Sequence, residues 1–281
     1  MKVVSTVAEA YALVDHWRRG SMRIGLVPTM GALHEGHYSL VRRSVSECDL
    51  TVATIFVNPT QFGPHEDFGK YPRTLDEDLE GLKSAGAALV FTPSQSALYP
   101  EGFSTFIEPP SIAAILEGVH RPGHFRGVAT IVTKLFQILP ANVAYFGLKD
   151  YQQLVVIRRV VEDLNLPILI QPCETVRERD GLAMSSRNRY LSELERLAAL
   201  SLHRALNVAE KMVTRGCCVV AEIEQAMEKE LYASGANHID YARLVDAETL
   251  ATMTSLTQPC VALIAAFVGS TRLIDNRLMP Y

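Results

Sequence analysis

The chain lacks a long apolar run, a dominant charge sign and any cysteine spacing suited to a disulfide or metal framework. In 281 residues no apolar stretch approaches the roughly 20 residues of a membrane-spanning helix, so no membrane association is expected. Lysine plus arginine number 27 and aspartate plus glutamate 31, well mixed, for a net charge of -4. That balance offers no basic surface for a phosphate backbone, so no nucleic-acid partner is expected, while a local pocket for a small anion remains open. The five cysteines (Cys48, Cys173, Cys217, Cys218 and Cys260) are odd in number and contain no Cys-x-x-Cys, so they read as reduced thiols. Met1-Lys2-Val3-Val4-Ser5 does not show the charged-then-apolar pattern of a secretory signal, and a cytoplasmic location is expected.

A hydrophobic content of 48% allows one large domain or two. Strand-like and helix-like segments alternate through the first part. Residues 23–27, 51–57, 88–91, 142–146 and 168–171 read as strands; 38–47, 73–85, 127–139 and 151–164 read as helices. This order predicts an α/β fold, a Rossmann-like doubly wound parallel sheet. Around residues 176–188 the chain turns polar, and beyond it helices over 193–214 and 220–231 accompany strands over 240–245 and 260–268. We therefore expect a nucleotide- and substrate-binding domain over 1–175 and a smaller C-terminal α+β domain over 176–281.

Four segments carry candidate chemistry. Met30-Gly31-Ala32-Leu33-His34-Glu35-Gly36-His37 follows the first long strand and opens a helix. A helix start presents unpaired N–H groups and a positive dipole end, so His34 and His37 there can join them around a polyphosphate. Ordinary turn residues are the plainer alternative. A zinc site fits poorly, since this is not His-Glu-x-x-His and no third ligand lies nearby. The second segment, Asn58-Pro59-Thr60-Gln61, also follows a strand, and its neutral amides suit a hydroxy-acid substrate as well as a plain turn. The third, Gly147-Leu148-Lys149-Asp150, places Lys149 at another helix start, with Asp150 as a candidate N-cap and Gln153 in the first turn. The fourth, Met184-Ser185-Ser186-Arg187, joins two hydroxyls to a guanidinium in a loop that could act as a flap. Asp76-Glu77-Asp78 lies on a helix, where a solvated face competes with a Mg²⁺ ligand; Asp78 is the residue assigned as that ligand. His120 and His124 flank Pro122-Gly123 and read as loop histidines, with a pocket-lining His124 as the alternative.

Over nearly the whole chain these segments resemble the pantothenate synthetase (pantoate–β-alanine ligase) family. The likeness rests on residues 27–37, 55–62, 71–74, 146–153 and 175–191, in the family's order and spacing. That family belongs to the nucleotidyltransferase superfamily, related to class I aminoacyl-tRNA synthetases, and its His-x-Gly-His element corresponds to His34-Glu35-Gly36-His37. The resemblance implies ATP-dependent condensation of pantoate with β-alanine through a pantoyl adenylate, releasing pyrophosphate and AMP. It assigns Met30 to His37, Gly147 to Asp150, Val176 and Met184 to Arg187 to ATP, and Gln61 and Gln153 to pantoate. Asn58 joins them as a substrate-binding candidate. His34, His37, Lys149, Ser185, Ser186 and Arg187 are the candidates for catalysis, with His37 as proton donor. Mg²⁺ with ATP and a homodimer are further expectations. One departure is visible: Leu148 stands where the family usually has glutamate. An adenylyltransferase that stops at nucleotide transfer and a non-enzymatic nucleotide-responsive protein are the competing readings.

Overall fold

The computed structural model describes residues 1–64 and 66–280. The chain forms two compact units, Met1–Gly147 with Val156–Glu174, and Leu148–Val155 with Thr175–Tyr281. Residues 148–155, placed by sequence with the first domain, group with the second unit.

The first unit begins with β1 (Lys2–Val4), α1 (Val7–Arg19), β2 (Ile24–Thr29), α2 (Glu35–Glu47) and β3 (Leu50–Ile55). It continues with α3 (Leu75–Ala85), β4 (Leu89–Phe91), the single-turn helices α4 (Gln95–Leu98) and α5 (Glu117–His120), and α6 (His124–Ile138). β5 (Val143–Gly147), the later part of α7 (Tyr151–Asp163) and β6 (Leu169–Cys173) complete it. The six strands are parallel in the order β1-β4-β3-β2-β5-β6. Val27, Ala53, Val90, Val143 and Tyr145 share a buried cluster with residues of α2 and α3. Side chains alternate along a strand, so Ile24, Leu26, Val52, Leu89, Phe91 and Ala144 point the other way, and they too are buried. The sheet is therefore covered on both faces, which is why its strands read as continuous apolar runs.

β2 runs further than its apolar residues suggest, through Pro28 and Thr29. It pairs with β5 only at Gly25 and Leu26, so the N–H that Pro28 lacks falls beyond that ladder. From β2 the chain moves outward to β3 and β4 on one side and later to β5 and β6 on the other. Such a reversal opens a crevice at the carboxyl ends of the two central strands. The histidine turn leaves the carboxyl end of β2, one of those two strands.

In the second unit, α8 (Glu193–Ala198), α9 (Leu200–Thr214) and α10 (Val220–Ala233) precede β7 (His238–Asp246), β8 (Cys260–Val268) and β9 (Thr271–Leu278). The strands form an antiparallel sheet in the order β7-β8-β9. Leu202, Leu206, Ile223, Met227 and Leu231 join Ala262, Ile264 and Ala266 of the central strand in one buried cluster. The helix expected over 193–214 is two, meeting at Ala199. Among the described residues no helix is long and apolar enough to cross a membrane.

Candidate active site

The turn after β2 is held by its neighbours before any ligand is considered. Thr29 Oγ1 donates to Thr54 O at 2.5 Å and accepts from Gly31 N–H at 3.3 Å. Gly31 and Ala32 then take left-handed φ values of 85° and 51°. At Gly31 glycine is required, because a Cβ would be strained there and would also lie 3.1 Å from both Asp78 Oδ2 and Ile55 Cγ2. The two N–H groups exposed by this reversal, of Ala32 and Leu33, donate to the Asp78 carboxylate at 2.9 and 2.7 Å. Thr74 Oγ1 donates to the same carboxylate at 3.2 Å. Asp78 is 2% exposed. With three donors on so buried a carboxylate, its observed role is to anchor the turn, and this geometry adds no support to the Mg²⁺ role expected from sequence. Among the described residues no group of three or more His, Cys, Asp or Glu side chains is arranged to hold a metal ion.

The helix begins at Glu35, three residues earlier than its apolar spacing indicates, because the histidines themselves cap it. His34 is the N-cap: its Nδ1 accepts the Gly36 N–H at 3.1 Å, while His37 Nδ1 accepts the His34 N–H at 3.3 Å. This reciprocal pair is a capping box built from two imidazoles. It also sets their chemistry. A ring whose Nδ1 accepts a hydrogen bond carries its single proton on Nε2, so each neutral histidine is left with an Nε2–H donor. The rings lie 4.2 Å apart between centroids, tilted by 44°. Glu35 is exposed and pairs with Arg42, so its carboxylate serves the helix surface.

A second polar group in the same unit follows β3. Asn58 Nδ2 donates to Gln61 Oε1 at 3.1 Å and to Gly127 O at 3.2 Å. Its Oδ1 accepts from Thr60 Oγ1 at 3.0 Å and Tyr99 OH at 2.8 Å. Gln61 Nε2 reaches Met30 Sδ at 2.9 Å, which ties the amide cluster to the start of the histidine turn. Gly127 permits the approach of α6, since a Cβ there would lie 2.3 Å from Thr60 O. His124 is buried and clamps the same turn: its Nδ1–H donates to Gln61 O at 2.9 Å, and Nε2 accepts from Arg121 at 3.2 Å. Burial, reinforced by the Arg121 guanidinium, lowers its pKa to about 4, so the ring is neutral at pH 7. Arg121 is held in turn by a bidentate pair with Glu66. Tyr99 and His124 were not singled out as contributors to the amide cluster from sequence; they lie 41 and 63 residues from the groups they hold, and no local pattern marks them.

The second unit carries the remaining candidates. Leu148–Asp150 form a single 3₁₀ turn ahead of α7, with Gly147 as the last residue of β5. Asp150 is exposed and Gln153 half-buried. At Leu148 the contact is made by the backbone, whose carbonyl accepts from Asn276 Nδ2 at 2.9 Å. Met184 N–H donates to Val176 O at 3.0 Å and Arg177 bridges Ala183, forming a short hairpin that delivers Ser185. Ser185 Oγ accepts the Arg187 N–H at 3.2 Å and caps a 3₁₀ helix over Ser186–Tyr190. Asn188 donates to Glu178 and to Ala183 O, bracing the loop from behind. Val176, Met184, Ser185, Ser186 and Arg187 are therefore parts of one ordered turn, with the Ser186 side chain turned inward.

These features define a Rossmann-like α/β protein with a histidine-capped helix start at the reversal point of its sheet. The chain belongs to the pantoate-beta-alanine ligase family, whose model matches residues 2–278. It is 48% identical to a pantothenate synthetase of Moorella thermoacetica over 276 residues, covering 98% of each chain. With that of Rhodopirellula baltica it shares 52% identity over 262 residues, 92% of each. Among solved structures it is similar to pantothenate synthetase from Thermus thermophilus, with a TM-score of 0.95 and 44% identity over 100% of both chains. The pantoate-beta-alanine ligase from Francisella tularensis, complexed with beta-gamma ATP and beta-alanine, matches with a TM-score of 0.79 and 34% identity, covering 99% of this chain and 97% of that one.

Proposed function

We propose that the protein joins (R)-pantoate to β-alanine at the expense of ATP, as a ligase forming an amide bond. The pantoate carboxylate attacks the α-phosphorus of ATP and pyrophosphate leaves. The β-alanine amine then attacks the acyl carbon of the pantoyl adenylate, a proton is lost and AMP leaves, giving pantothenate. The observation that carries this reading is the pair of histidines whose Nδ1 atoms cap α2, in a chain that belongs to this family along its length.

In-line attack at the α-phosphorus moves negative charge onto the phosphate oxygens and the leaving pyrophosphate. Groups that donate hydrogen bonds or carry positive charge are therefore the catalytic need. His34 and His37 meet it with Nε2–H donors at the positive end of α2. His37 is also the assigned proton donor to the departing oxygen, a role in which its protonated ring has to give up the Nδ1 bond to the His34 N–H. Lys149, Ser185, Ser186 and Arg187 are assigned to the ATP phosphates by residue type and position, with the backbones of Met30 to Leu33, Glu35, Gly36, Gly147 to Asp150, Val176 and Met184 lining the nucleotide. Asn58, Gln61 and Gln153 are assigned to pantoate, whose hydroxyls and carboxylate need both donors and acceptors. The second step starts from an activated acyl group, and holding the amine in line suffices without a nucleophilic side chain.

Mg²⁺ belongs to this reading as the ion that ATP brings on its phosphates, where one or two carboxylates and solvent complete its shell. Purified protein is expected to release AMP and form pantothenate only when ATP, Mg²⁺, pantoate and β-alanine are all present. AMP release that ignores β-alanine would instead favour an enzyme that stops at nucleotide transfer. We extend the proposal to a homodimer in the cytoplasm; light scattering on the purified chain reads the first, and cell fractionation the second.

A further inference from the structure

Two segments assigned above to ATP, the Lys149 turn and the Ser185–Arg187 loop, are tied to adjacent residues of β9. Asn276 Nδ2 donates to the carbonyls of both Leu148 and Lys149, at 2.9 and 2.8 Å, from a side chain that is 7% exposed. Its neighbour Asp275, 2% exposed, accepts a bidentate pair from Arg177 at 2.7 and 2.8 Å and also the Asn276 N–H at 2.7 Å. Arg177 completes the link by donating to Gly181 O at 3.0 Å, inside the hairpin that delivers Met184 to Arg187.

The two carbonyls on Asn276 belong to the peptide planes on either side of the Lys149 Cα. Peptide units are planar, so fixing both fixes φ and ψ of Lys149, and with them the direction in which its side chain leaves the turn. An asparagine buried in a strand could satisfy its amide anywhere. Here both amide hydrogens are committed to consecutive carbonyls well over a hundred residues away in sequence. A buried group so committed is costly to replace by one that cannot donate.

We infer that Asn276 is a positioning residue for the adenylation step, aiming Lys149, and that Asp275 with Arg177 holds the serine-arginine loop from the same strand. The inference rests on the proposed role of Lys149 toward ATP. Its test is a double-mutant cycle on the full-length protein with Asn276→Asp and Lys149→Ala, reading kcat and KM for ATP and for β-alanine. Asn276→Asp keeps the shape but sets a carboxylate oxygen against two carbonyls. It should lower kcat/KM for ATP by about 10- to 100-fold and leave KM for β-alanine unchanged. In the Lys149→Ala background the same change should cost less than about twofold, because coupled residues are not additive. If the aspartate variant does not fold, Asn276→Ser, which gives up one donor without adding charge, carries the same cycle. Equal losses in both backgrounds, or unaltered ATP kinetics, would overturn the inference while leaving the reaction intact. Unaltered ATP kinetics in Lys149→Ala alone would instead remove the assignment of Lys149 and the inference with it.

Discussion

At the scale of single residues, the histidine pair separates two duties that ordinarily fall to different side chains. Nδ1 of each ring serves the backbone at the start of α2, and the proton left on Nε2 is the one proposed above to serve a substrate. The duties can be pulled apart. His34→Asn retains an N-cap acceptor, so its thermal midpoint should stay close to that of the parent while adenylate formation falls by about 10²-fold. His37→Ala should lower adenylation by about 10²-fold or more with folded structure retained, as circular dichroism and pyrophosphate release would show together. Adenylation at the parental rate in His37→Ala would remove its assigned role.

His124 makes a prediction of opposite character. Its folded pKa of about 4 lies below the value of 6.5 for a free imidazole, so the unfolded chain takes up this proton first. Its contribution is fully present above pH 6.5 and is lost as pH falls toward 4, a change of roughly 3 kcal/mol. His124→Asn can donate to Gln61 O and accept from Arg121 without titrating. Urea midpoints measured between pH 7 and pH 4.5 should therefore fall less steeply for the variant than for the parent.

At the scale of elements, the histidine turn is shaped from α3 as much as from its own residues. Asp78 receives two N–H groups that the left-handed reversal would otherwise leave unpaired inside the protein. Asp78→Ala strands both, at about 1–3 kcal/mol each, and should cost about 2–6 kcal/mol of stability in urea unfolding. KM for ATP should rise with it, since the turn carries the histidines. A loss no larger than that of an exposed aspartate would remove Asp78 as the anchor.

Element boundaries show where local pattern was sufficient. The apolar spacing of α3 and α10 brought their starts within two residues of the observed ones, because each helix buries a single regular stripe. β1 and β9 were not legible. β1 is a three-residue strand, and β9 buries Asp275 and Asn276 side by side, which breaks the alternation that marks a strand. Those two polar residues are inside because Arg177 and the Leu148 and Lys149 carbonyls satisfy them.

At the scale of the whole molecule, the chain groups by contact rather than by order. Residues 148–155 belong with the second unit, held by Tyr151 OH donating to Ala247 O at 2.8 Å and by Asn276. Units that open together exchange their amides together. Amides of residues 152–155 are therefore expected to exchange in step with β8 and β9. Exchange in step with the rest of α7 would show that this grouping has no energetic counterpart.

The candidate site of the chain is legible in its sequence: the His34-Glu35-Gly36-His37 start, the Asn58 and Gln61 amides, Lys149 and the Ser185-Ser186-Arg187 loop each stand in a few consecutive residues, where side-chain type and turn position suffice to single them out. Tertiary structure alone decided how those groups are held. Asp78 became an anchor, His124 a neutral clamp and Asn276 a brace, because a buried polar atom must find its partner wherever the fold supplies one, and here those partners lie from 45 to 128 residues away.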